Sequence, residues 1–262
     1  MTLKFSLLTT TLWITKAVKW LVLSLLLVGS ATAAQMALII DDVGERALDK
    51  QTLALPHKVT LSFLPHSRFG RDFAMLGWLQ QRELMLHLPM ATVGVKDPGP
   101  WAITPNQDKW QVQYRVKKAL ADIPFVTGIN NHMGSAVTPD PERMAWVMEE
   151  IAKKPMFFVD SLTTSDSQAH AQALRYGIDS IKRHVFLDPQ PGIEVLEQQW
   201  LRAQTIALKY GKVVVIGHPY PDTMAFLQHK IPQLDQIELV SVAELISNER
   251  LAQSQVQQPA TQ

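Results

Sequence analysis

The residues Met36-Ala-Leu-Ile-Ile-Asp-Asp-Val-Gly44 indicate the fold of this chain. Their apolar run is typical of a buried strand, and it ends in two adjacent carboxylates. Because a buried strand needs no acid in its interior, Asp41 and Asp42 are expected where the strand emerges at one rim of a sheet. Successive side chains of an extended chain point in opposite directions, so one carboxylate could face a metal while the other faces a reacting water or nearby backbone. The alternative is a strand that ends in an Asx turn and caps the next helix.

Short apolar runs of this kind alternate with helical patterns along the whole chain. The eight strand candidates are Ala37–Ile40, Val59–Leu64, Leu84–Leu88, Phe125–Ile129, Met156–Val159, Val185–Leu187, Val213–Ile216 and Ile237–Val240. Helices are predicted at Arg68–Gln81, Asp108–Asp122, Pro141–Lys154, Pro191–Tyr210, Pro221–Leu227 and from Ser241 to Leu251. Such alternation is typical of parallel strands with crossover helices. We therefore predict an α/β fold, an irregular (β/α) barrel of seven to eight parallel strands, with an open sheet as the alternative.

The two ends of the chain differ in composition from the rest. Residues 1–34 combine a basic start, an apolar run from Trp20 to Val28 and small residues that fit a signal-peptidase site. Because that run is shorter than the roughly 20 residues of a membrane span, we predict a cleaved signal peptide and a periplasmic or secreted protein that touches the membrane only through this segment. Residues 35–250 are predicted to form one domain, and residues 251–262 a disordered tail.

Composition excludes several classes of function. The chain has no cysteine, which excludes a lipid-anchored cysteine, a thiol nucleophile and disulfides. Its 25 basic and 24 acidic residues give a net charge of +1, and three of the lysines lie in the predicted signal peptide, so we expect no nucleic-acid partner. The Gly- and Pro-rich loop between Pro89 and Gln107 is long enough to be functional. Trp101 in this loop could stack on a sugar or plug the rim of the barrel.

Polar side chains follow almost every predicted strand. They are Asp41-Asp42, His66, His87, Asn130-Asn131-His132, Asp160-Ser161, Asp188 and His218. The carboxyl ends of parallel strands gather on one face, where active sites lie. Imidazoles and carboxylates that converge there without cysteine suit a divalent metal of the zinc type. We therefore expect hydrolysis of an amide or ester, with a carboxylate as base and an imidazole from another strand as acid.

Five segments at these positions carry a resemblance to a known family. They are Ala37-Leu-Ile-Ile-Asp-Asp-Val-Gly44, Leu84-Met-Leu-His-Leu-Pro-Met90, Gly128-Ile-Asn-Asn-His-Met-Gly-Ser135, Phe157-Phe-Val-Asp-Ser161 and Val214-Val-Ile-Gly-His-Pro219. Together they resemble the divergent polysaccharide deacetylase family, a distant branch of the NodB-type carbohydrate esterases, over residues 36–246. The resemblance implies a NodB-like (β/α) barrel, a metal site and removal of acetyl groups from N-acetylated sugars.

The resemblance also implies roles for individual residues. Asp41 matches the general base, Asp42 a metal ligand, His87 the first histidine of the H-x-x-x-H metal motif, and His218 the acid that protonates the leaving amine. The second histidine of that motif is replaced by Ala91, so we predict that His132 supplies the third ligand.

The chain departs from the family pattern at two further places. Pro219 replaces the acid that follows the last histidine, and Asn131-His-Met-Gly134 replaces the R-P-P-Y segment. We expect Asn130 or Asn131 to contact the substrate or to orient His132. Asp160 is expected to hold a ligand in place or to serve as an alternative ligand, and Trp101 is expected to contact sugar.

These residues lead to one prediction of function and two alternatives. We predict an exported, metal-dependent hydrolase, with zinc as its metal, that deacetylates a polysaccharide or peptidoglycan-type glycan. The first alternative is a non-catalytic envelope protein of the same fold that binds glycan or a partner protein. The second is a glycosidase that pairs Asp41 with Asp160 or Asp188 across a sugar bond.

Overall fold

The structure, a computed structural model, describes residues 33–256. From Ala34 onward these residues form one compact unit. The predicted signal peptide lies outside the described residues except for its last two. Within 33–256, no helix is both long enough and apolar enough to cross a membrane.

Strands and helices alternate along the described residues, largely as predicted. The strands are β1 (Ala34–Val43), β2 (Thr60–Phe63), β3 (Leu84–Met90), β4 (Gly128–Met133), β5 (Phe157–Asp160), β6 (Ser180–Lys182), β7 (Val185–Phe186), β8 (Lys212–Gly217) and β9 (Ile237–Val240). The helices are α1 (Gly70–Leu79), α2 (Lys109–Asp122), α3 (Pro141–Ile151), α4 (Ala169–Arg175), α5 (Ile193–Tyr210), α6 (Pro221–Lys230) and α7 (Val242–Val256). Strand β6, helix α4 and two 3-10 helices, Ala47–Ala54 and Ile231–Gln233, were not predicted.

The last helix corrects the predicted disordered tail. Helix α7 continues through Val256, so the first residues of the segment 251–262 are helical. No glycine or proline interrupts the chain between Leu251 and Val256, and the next helix breaker is Pro259. The end of the predicted tail, residues 257–262, lies outside the described part of the chain.

All nine strands belong to one parallel sheet, which confirms the predicted α/β fold. The order is β6-β5-β4-β3-β2-β1-β8-β7, and β9 pairs with the first residues of β1. Strand β1 is therefore central, with β8 on one side and both β2 and β9 on the other. The sheet forms a curled half-barrel with helices packed on it.

The two edges of this sheet meet at a seam made by Arg183 and His184. The backbone N–H of Arg183 donates to the carbonyl of Asp160 and extends the pairing with β5, while that of His184 donates to Val214 and extends the pairing with β8, both at 2.9 Å. Because successive Cα atoms are about 3.8 Å apart, β6 and β7 stay within about 11 Å of each other here. The chain itself therefore holds the curled sheet nearly shut.

Alternate residues of the central strand face two different cores. Met36, Leu38 and Ile40 join the larger apolar cluster, which includes residues of the surrounding helices. Ala37 and Ile39 belong to a smaller inner cluster. That inner cluster is completed by Met85, Phe157, Val159, Ile181, Val214, Ile216 and Val240, and by Val242, Leu245 and Ile246 at the start of α7.

The inner cluster also positions polar residues. Side chains two residues apart on a strand share a face, so Ile39, Met85 and Ile216 of the inner cluster are followed on that face by Asp41, His87 and His218. The polar residues therefore form the next layer above an apolar floor.

The amino end of α7 is held by a carboxylate from another part of the chain. The side chain of Glu83, just before β3, accepts hydrogen bonds from the backbone N–H groups of Val242 at 2.8 Å and Ala243 at 2.9 Å, and from the hydroxyl of Thr60 at 2.7 Å. Burial raises the pKa of Glu83 above its usual value, although these hydrogen bonds oppose that shift. Both carboxylate oxygens are thus occupied by structural donors.

Candidate metal centre and active site

An irregularity at the end of β1 brings both of its carboxylates to the same side. The pairing of β1 with β2 shifts register between Ile40 and Val43, and Asp42 has a left-handed backbone with φ of 56°. Both acids consequently face one imidazole, since Asp42 Oδ1 lies 3.1 Å and Asp41 Oδ2 3.6 Å from His87 Nε2. The expectation that the two carboxylates point in opposite directions is wrong, because the bulge breaks the strand's alternation.

The alternative, an Asx turn at the end of β1, does not form either. The backbone N–H groups of Gly44 and Arg46 donate to the carboxylate of Asp49, at 3.2 and 2.9 Å, and not to Asp41 or Asp42. Asp49 therefore fixes the turn after β1 and leaves the two strand-end carboxylates for other contacts.

Three of the predicted site residues place their ligand atoms within a small triangle. Asp42 Oδ1 lies 2.8 Å from His132 Nδ1 and 3.1 Å from His87 Nε2, and the two nitrogens are 3.1 Å apart. Among the described residues, these three form the group of His, Asp and Glu side chains that could share one metal ion. Ligand atoms about 2.0 Å from a tetrahedral zinc lie about 3.3 Å apart, so the observed spacing is close to what such an ion needs.

Hydrogen bonding around Asp42 gives an independent test of whether a cation fits. Oδ1 of Asp42 is buried and receives no hydrogen bond, although two imidazole nitrogens lie nearby. A buried carboxylate oxygen without a donor is costly, and a cation would satisfy it. One carboxylate oxygen with two imidazole nitrogens is a ligand set suited to a divalent ion such as zinc.

Asn130 fixes the protonation of the first of these histidines. Its amide N–H group donates to both oxygens of Asp41, at 2.8 and 3.0 Å, which fixes the orientation of the amide because a carboxylate only accepts. The amide oxygen then faces His87 Nδ1 at 2.8 Å and accepts from the hydroxyl of Ser62 at 2.7 Å. His87 Nδ1 therefore carries a proton, and Nε2 is the ring nitrogen that faces Asp42 and can bind a cation once its own proton is lost. Asn130 orients His87, not His132 as we expected.

The two adjacent acids, Asp41 and Asp42, have pKa values shifted in opposite directions. Burial raises the pKa of Asp41 above its usual value, against the opposing effect of His87 and His218. Burial also acts to raise the pKa of Asp42, but contacts with His132 and His87 outweigh it and lower that pKa. Burial disfavours a charged His87, yet Asp41 and Asp42 raise the pKa of His87 to about 9. Asp42 is thus the permanent anion of the pair, and Asp41 is the acid that takes up a proton more readily.

His218 is oriented by an acid that the sequence did not pair with it. The Nδ1 atom of His218 lies 2.9 Å from Asp188 Oδ1, while Asp188 Oδ2 accepts from the backbone N–H of His218 at 2.7 Å and the hydroxyl of Thr223 at 2.9 Å. Nε2 of His218 faces Asp42 Oδ2 at 3.7 Å. Burial lowers the pKa of His218, but Asp188 outweighs it and raises that pKa. The ring can therefore present a proton to the site from Nε2.

Asp160, predicted to hold a ligand or to be one, lies outside the metal group. Its oxygens accept hydrogen bonds from the loop that follows β5, from Leu162 N at 2.9 Å, Ser167 Oγ at 2.8 Å and His170 N at 3.3 Å. The carboxylate is buried and shapes this loop. The expectation for Asp160 is wrong because local backbone donors already occupy both oxygens.

Asn131 joins the ends of two strands and does not reach His132. Its amide N–H donates to the carbonyl of Met133 at 2.7 Å, and its amide oxygen accepts from the backbone N–H of Ser161 at 3.0 Å. Asn131 is buried, and its hydrogen bond with Ser161 links β4 to the residue that follows β5.

A cleft of about 360 Å³ opens above the metal group. Asp42 and His132 line it, whereas Asp41 and His87, each 2% exposed, lie beneath. The other lining residues lie at or after the ends of five strands. They are Glu45 and Arg46 after β1, Leu64 and Pro65 after β2, Pro89 and Lys96 to Pro100 at and after the end of β3, Met133 at the end of β4, and Pro219 and Tyr220 after β8. The loop that the sequence marked as functional therefore forms one wall of the cleft.

Two cleft residues were missed by the sequence analysis. Arg46 is held by the buried carboxylate of Asp49 at 3.0 Å and donates to the carbonyl of Pro219, also at 3.0 Å. Its guanidinium lies 5.8 Å from the ring centre of Tyr220, which stacks beside His218 at 5.4 Å. Only the position of Arg46, close after the two aspartates, could have drawn attention to it.

The arrangement of carboxylates does not fit the glycosidase alternative. Asp160 has both oxygens occupied by its own loop, and Asp188 has both occupied by His218 and Thr223. Neither of them lines the cleft that Asp42 lines. Two acids facing each other across a sugar bond, which glycoside hydrolysis requires, are therefore not brought together.

Comparison with known proteins gives a family match and several relatives. Residues 38–246 match the family described as Divergent polysaccharide deacetylase. An uncharacterized protein of Haemophilus influenzae is 34% identical over 224 residues, 85% of this chain and 80% of its own length. Uncharacterized protein YibQ of Escherichia coli K12 is 32% identical over 217 residues, 82% of this chain and 68% of its own.

Two solved structures share the fold. Uncharacterized protein ATU2773 of Agrobacterium tumefaciens C58 superposes with a TM-score of 0.77 at 20% identity, covering 83% of this chain and 91% of that one. A mutant of BA3943, described as a CE4 family pseudoenzyme, gives 0.50 at 14% identity, covering 82% of this chain and 68% of that one. At these identities the likeness supports the α/β fold.

Proposed function

The chain belongs to the divergent polysaccharide deacetylase family, and from this premise we propose that it is an exported, metal-dependent hydrolase that removes acetyl groups from N-acetylated amino sugars of an envelope glycan. The observation that carries the proposal is the triangle of Asp42 Oδ1, His87 Nε2 and His132 Nδ1, no side longer than 3.1 Å, at the floor of an open cleft. Export rests on the sequence of residues 1–34, and the class of substrate rests on the family.

The ligand residues fit a divalent ion, as the unpaired Oδ1 of Asp42 indicates. When bound by Asp42, His87 and His132, such an ion would polarise the acetyl carbonyl and acidify a water molecule. The chain's own contribution below the ion is Asn130, which keeps His87 Nδ1 protonated and Nε2 free to act as a ligand.

Proton transfer is assigned to the two remaining groups at the site. Hydrolysis adds water to the acetyl carbon and breaks the bond between that carbon and nitrogen, giving acetate and a free amine. Asp41, with its raised pKa, accepts a proton from the attacking water. His218, kept protonated by Asp188, gives a proton from Nε2 to the leaving nitrogen.

The test is acetate release by the zinc-loaded protein from N-acetylglucosamine oligomers and from peptidoglycan fragments. We expect release by the unsubstituted protein, and loss of release with retained zinc in Asp41→Asn, which keeps the shape of the side chain. Asp160→Asn is the matched control, because that acid is also buried at a strand end but lies outside the metal group; it should remain active. Zinc binding without acetate from any of these glycans would refute the hydrolase.

One observation favours a second function, a non-catalytic glycan-binding protein. The carboxylate of Asp41 is only 2% exposed and both its oxygens accept hydrogen bonds from Asn130, so it is partly occupied as a base. Saturable binding of the same oligomers without acetate release, unchanged in Asp41→Asn, would support this function over hydrolysis.

A further inference from the structure

A row of aromatic rings leads away from the rim of the cleft. The cleft-lining pairs Leu64-Pro65 and Gly99-Pro100 are followed directly by His66 and Trp101, whose ring centres lie 5.7 Å apart. From Trp101 the rings continue to Tyr114 on α2 at 6.2 Å, and from there to Trp110 at 5.2 Å. We call Trp101, Tyr114 and Trp110 the aromatic row.

Core packing does not explain the aromatic row. Trp101 is 45% exposed and Trp110 is 69% exposed, so neither indole is buried by the fold. Trp101 also has a left-handed backbone with φ of 63°, a conformation that costs energy in a bulky residue. A contiguous set of exposed aromatic side chains indicates a binding surface.

The rings are held in fixed positions. Trp110 and Tyr114 are stacked within 9° of parallel, and the guanidinium of Arg115 lies 5.6 Å from the ring centre of Trp101. The loop that carries Trp101 is tied down at its base, where Ala91 N donates to Ile103 O at 2.8 Å and Ile103 N donates to Pro89 O at 2.9 Å. A surface ordered in advance loses little entropy when it binds a ligand.

We propose that the aromatic row is an extended subsite that binds the glycan chain beyond the sugar held in the cleft. The proposal rests on the proposed function for its ligand class. The apolar C–H face of a sugar ring stacks on an aromatic ring while its hydroxyl groups stay hydrated, which suits half-exposed indoles. Continuity with the cleft favours the same chain as the occupant.

A second exposed aromatic pair provides a matched control. Trp78 on α1 stacks on Phe125 with ring centres 4.3 Å apart. Trp78 is 46% exposed, close to the 45% of Trp101. Neither Trp78 nor Phe125 lines the cleft. Loss of an exposed tryptophan at this pair should therefore leave glycan binding intact.

The experiment is calorimetric titration of the zinc-loaded Asp41→Asn protein with N-acetylglucosamine oligomers of two and six units. The six-unit oligomer should bind at least about tenfold more tightly than the two-unit one. Adding Trp110→Ala should remove that advantage and leave binding of the two-unit oligomer unchanged, whereas adding Trp78→Ala should change neither. Equal effects of Trp110→Ala and Trp78→Ala, or equal affinity for both oligomers before substitution, would overturn the subsite.

Failure of this inference can be told apart from failure of the proposed function. The titration measures binding alone, so length-dependent binding that requires Trp110, in a protein that releases no acetate, would keep the subsite and refute the hydrolase. Acetate release from the six-unit oligomer at an unchanged KM in Trp110→Ala would keep the hydrolase and refute the subsite.

Discussion

Two carboxylates at different places in the sheet, Glu83 before β3 and Asp42 at the end of β1, have contrasting surroundings. Both oxygens of Glu83 accept hydrogen bonds, from two backbone N–H groups of α7 and a threonine hydroxyl. Oδ1 of Asp42 is buried without a donor and faces two imidazole nitrogens. The difference shows that the donors around an acid, more than its burial, distinguish a residue that caps a helix from one that can bind a metal.

The backbone produces the same contrast. Glu83 occupies the amino end of a helix, where N–H groups without intrahelical partners and the helix dipole both favour a carboxylate. Asp42 lies in a bulge with a left-handed backbone, which turns its side chain away from such donors and toward His87 and His132.

Asp42→Ala should have the largest effect of the substitutions that test this contrast, and the quantity it changes is bound zinc. Removing the only anionic ligand of the triangle should reduce bound zinc from about one per chain to background, while circular dichroism remains that of the folded protein. His132→Ala should do the same, because it leaves two ligands. Elemental analysis of the purified variants measures this, and a full equivalent of zinc in Asp42→Ala would show that these atoms do not hold the ion.

Asp188→Asn should have the next largest effect, a slower release of acetate. Like Glu83, Asp188 accepts hydrogen bonds at both oxygens, but its partner is His218 of the candidate site. Burial lowers the pKa of His218, and Asp188 raises it above its usual value. A histidine that donates a proton must be charged, so loss of the Asp188 charge should move the alkaline limb of the kcat/KM profile to lower pH. The rate of acetate release at neutral pH should fall about 100-fold.

Zinc content separates this effect from damage to the metal group. Asp188→Asn should keep its zinc, since neither oxygen of Asp188 belongs to the triangle. An alkaline limb that stays in place in the variant would mean that His218 is not the proton donor.

Glu83→Ala should have the smallest effect on the site. The variant leaves two N–H groups of α7 and the hydroxyl of Thr60 without their acceptor, so we expect the free energy of unfolding to fall by about 2 kcal/mol. Urea denaturation measures this loss. Zinc content should not change, and a loss of zinc would remove the distinction drawn between Glu83 and Asp42.

Much of the fold could be predicted because its strands are buried on both faces and read as apolar runs. Strand β6 was missed since it has three residues, Ser180-Ile181-Lys182, with one apolar side chain among them. Its extended form comes from pairing with β5, which a local pattern does not reveal. Helix α4, seven residues long, is likewise too short to show a period.

The site could be located from the sequence because parallel strands bring their carboxyl ends together. This rule placed Asp42, His87 and His132 correctly beside one another. It could not show that both oxygens of Asp160 accept hydrogen bonds from the loop after β5, or that Asp188 hydrogen-bonds to His218, 30 residues away. Those contacts depend on loop conformation and on the left-handed backbone at Asp42, and neither feature produces a periodic pattern of apolar residues in the sequence.

The seam at Arg183 and His184 limits how far the curled sheet can widen. A dipeptide already bonded to β5 on one side and β8 on the other has no slack, so the sheet cannot widen there without breaking those hydrogen bonds. Relatives with a wider cleft should therefore differ in the length of the segment between β3 and α2, which lines the cleft here, while the spacing between β6 and β7 stays the same. The seam fixes the width of the sheet, so variation in the shape of the cleft is confined to the loops around it.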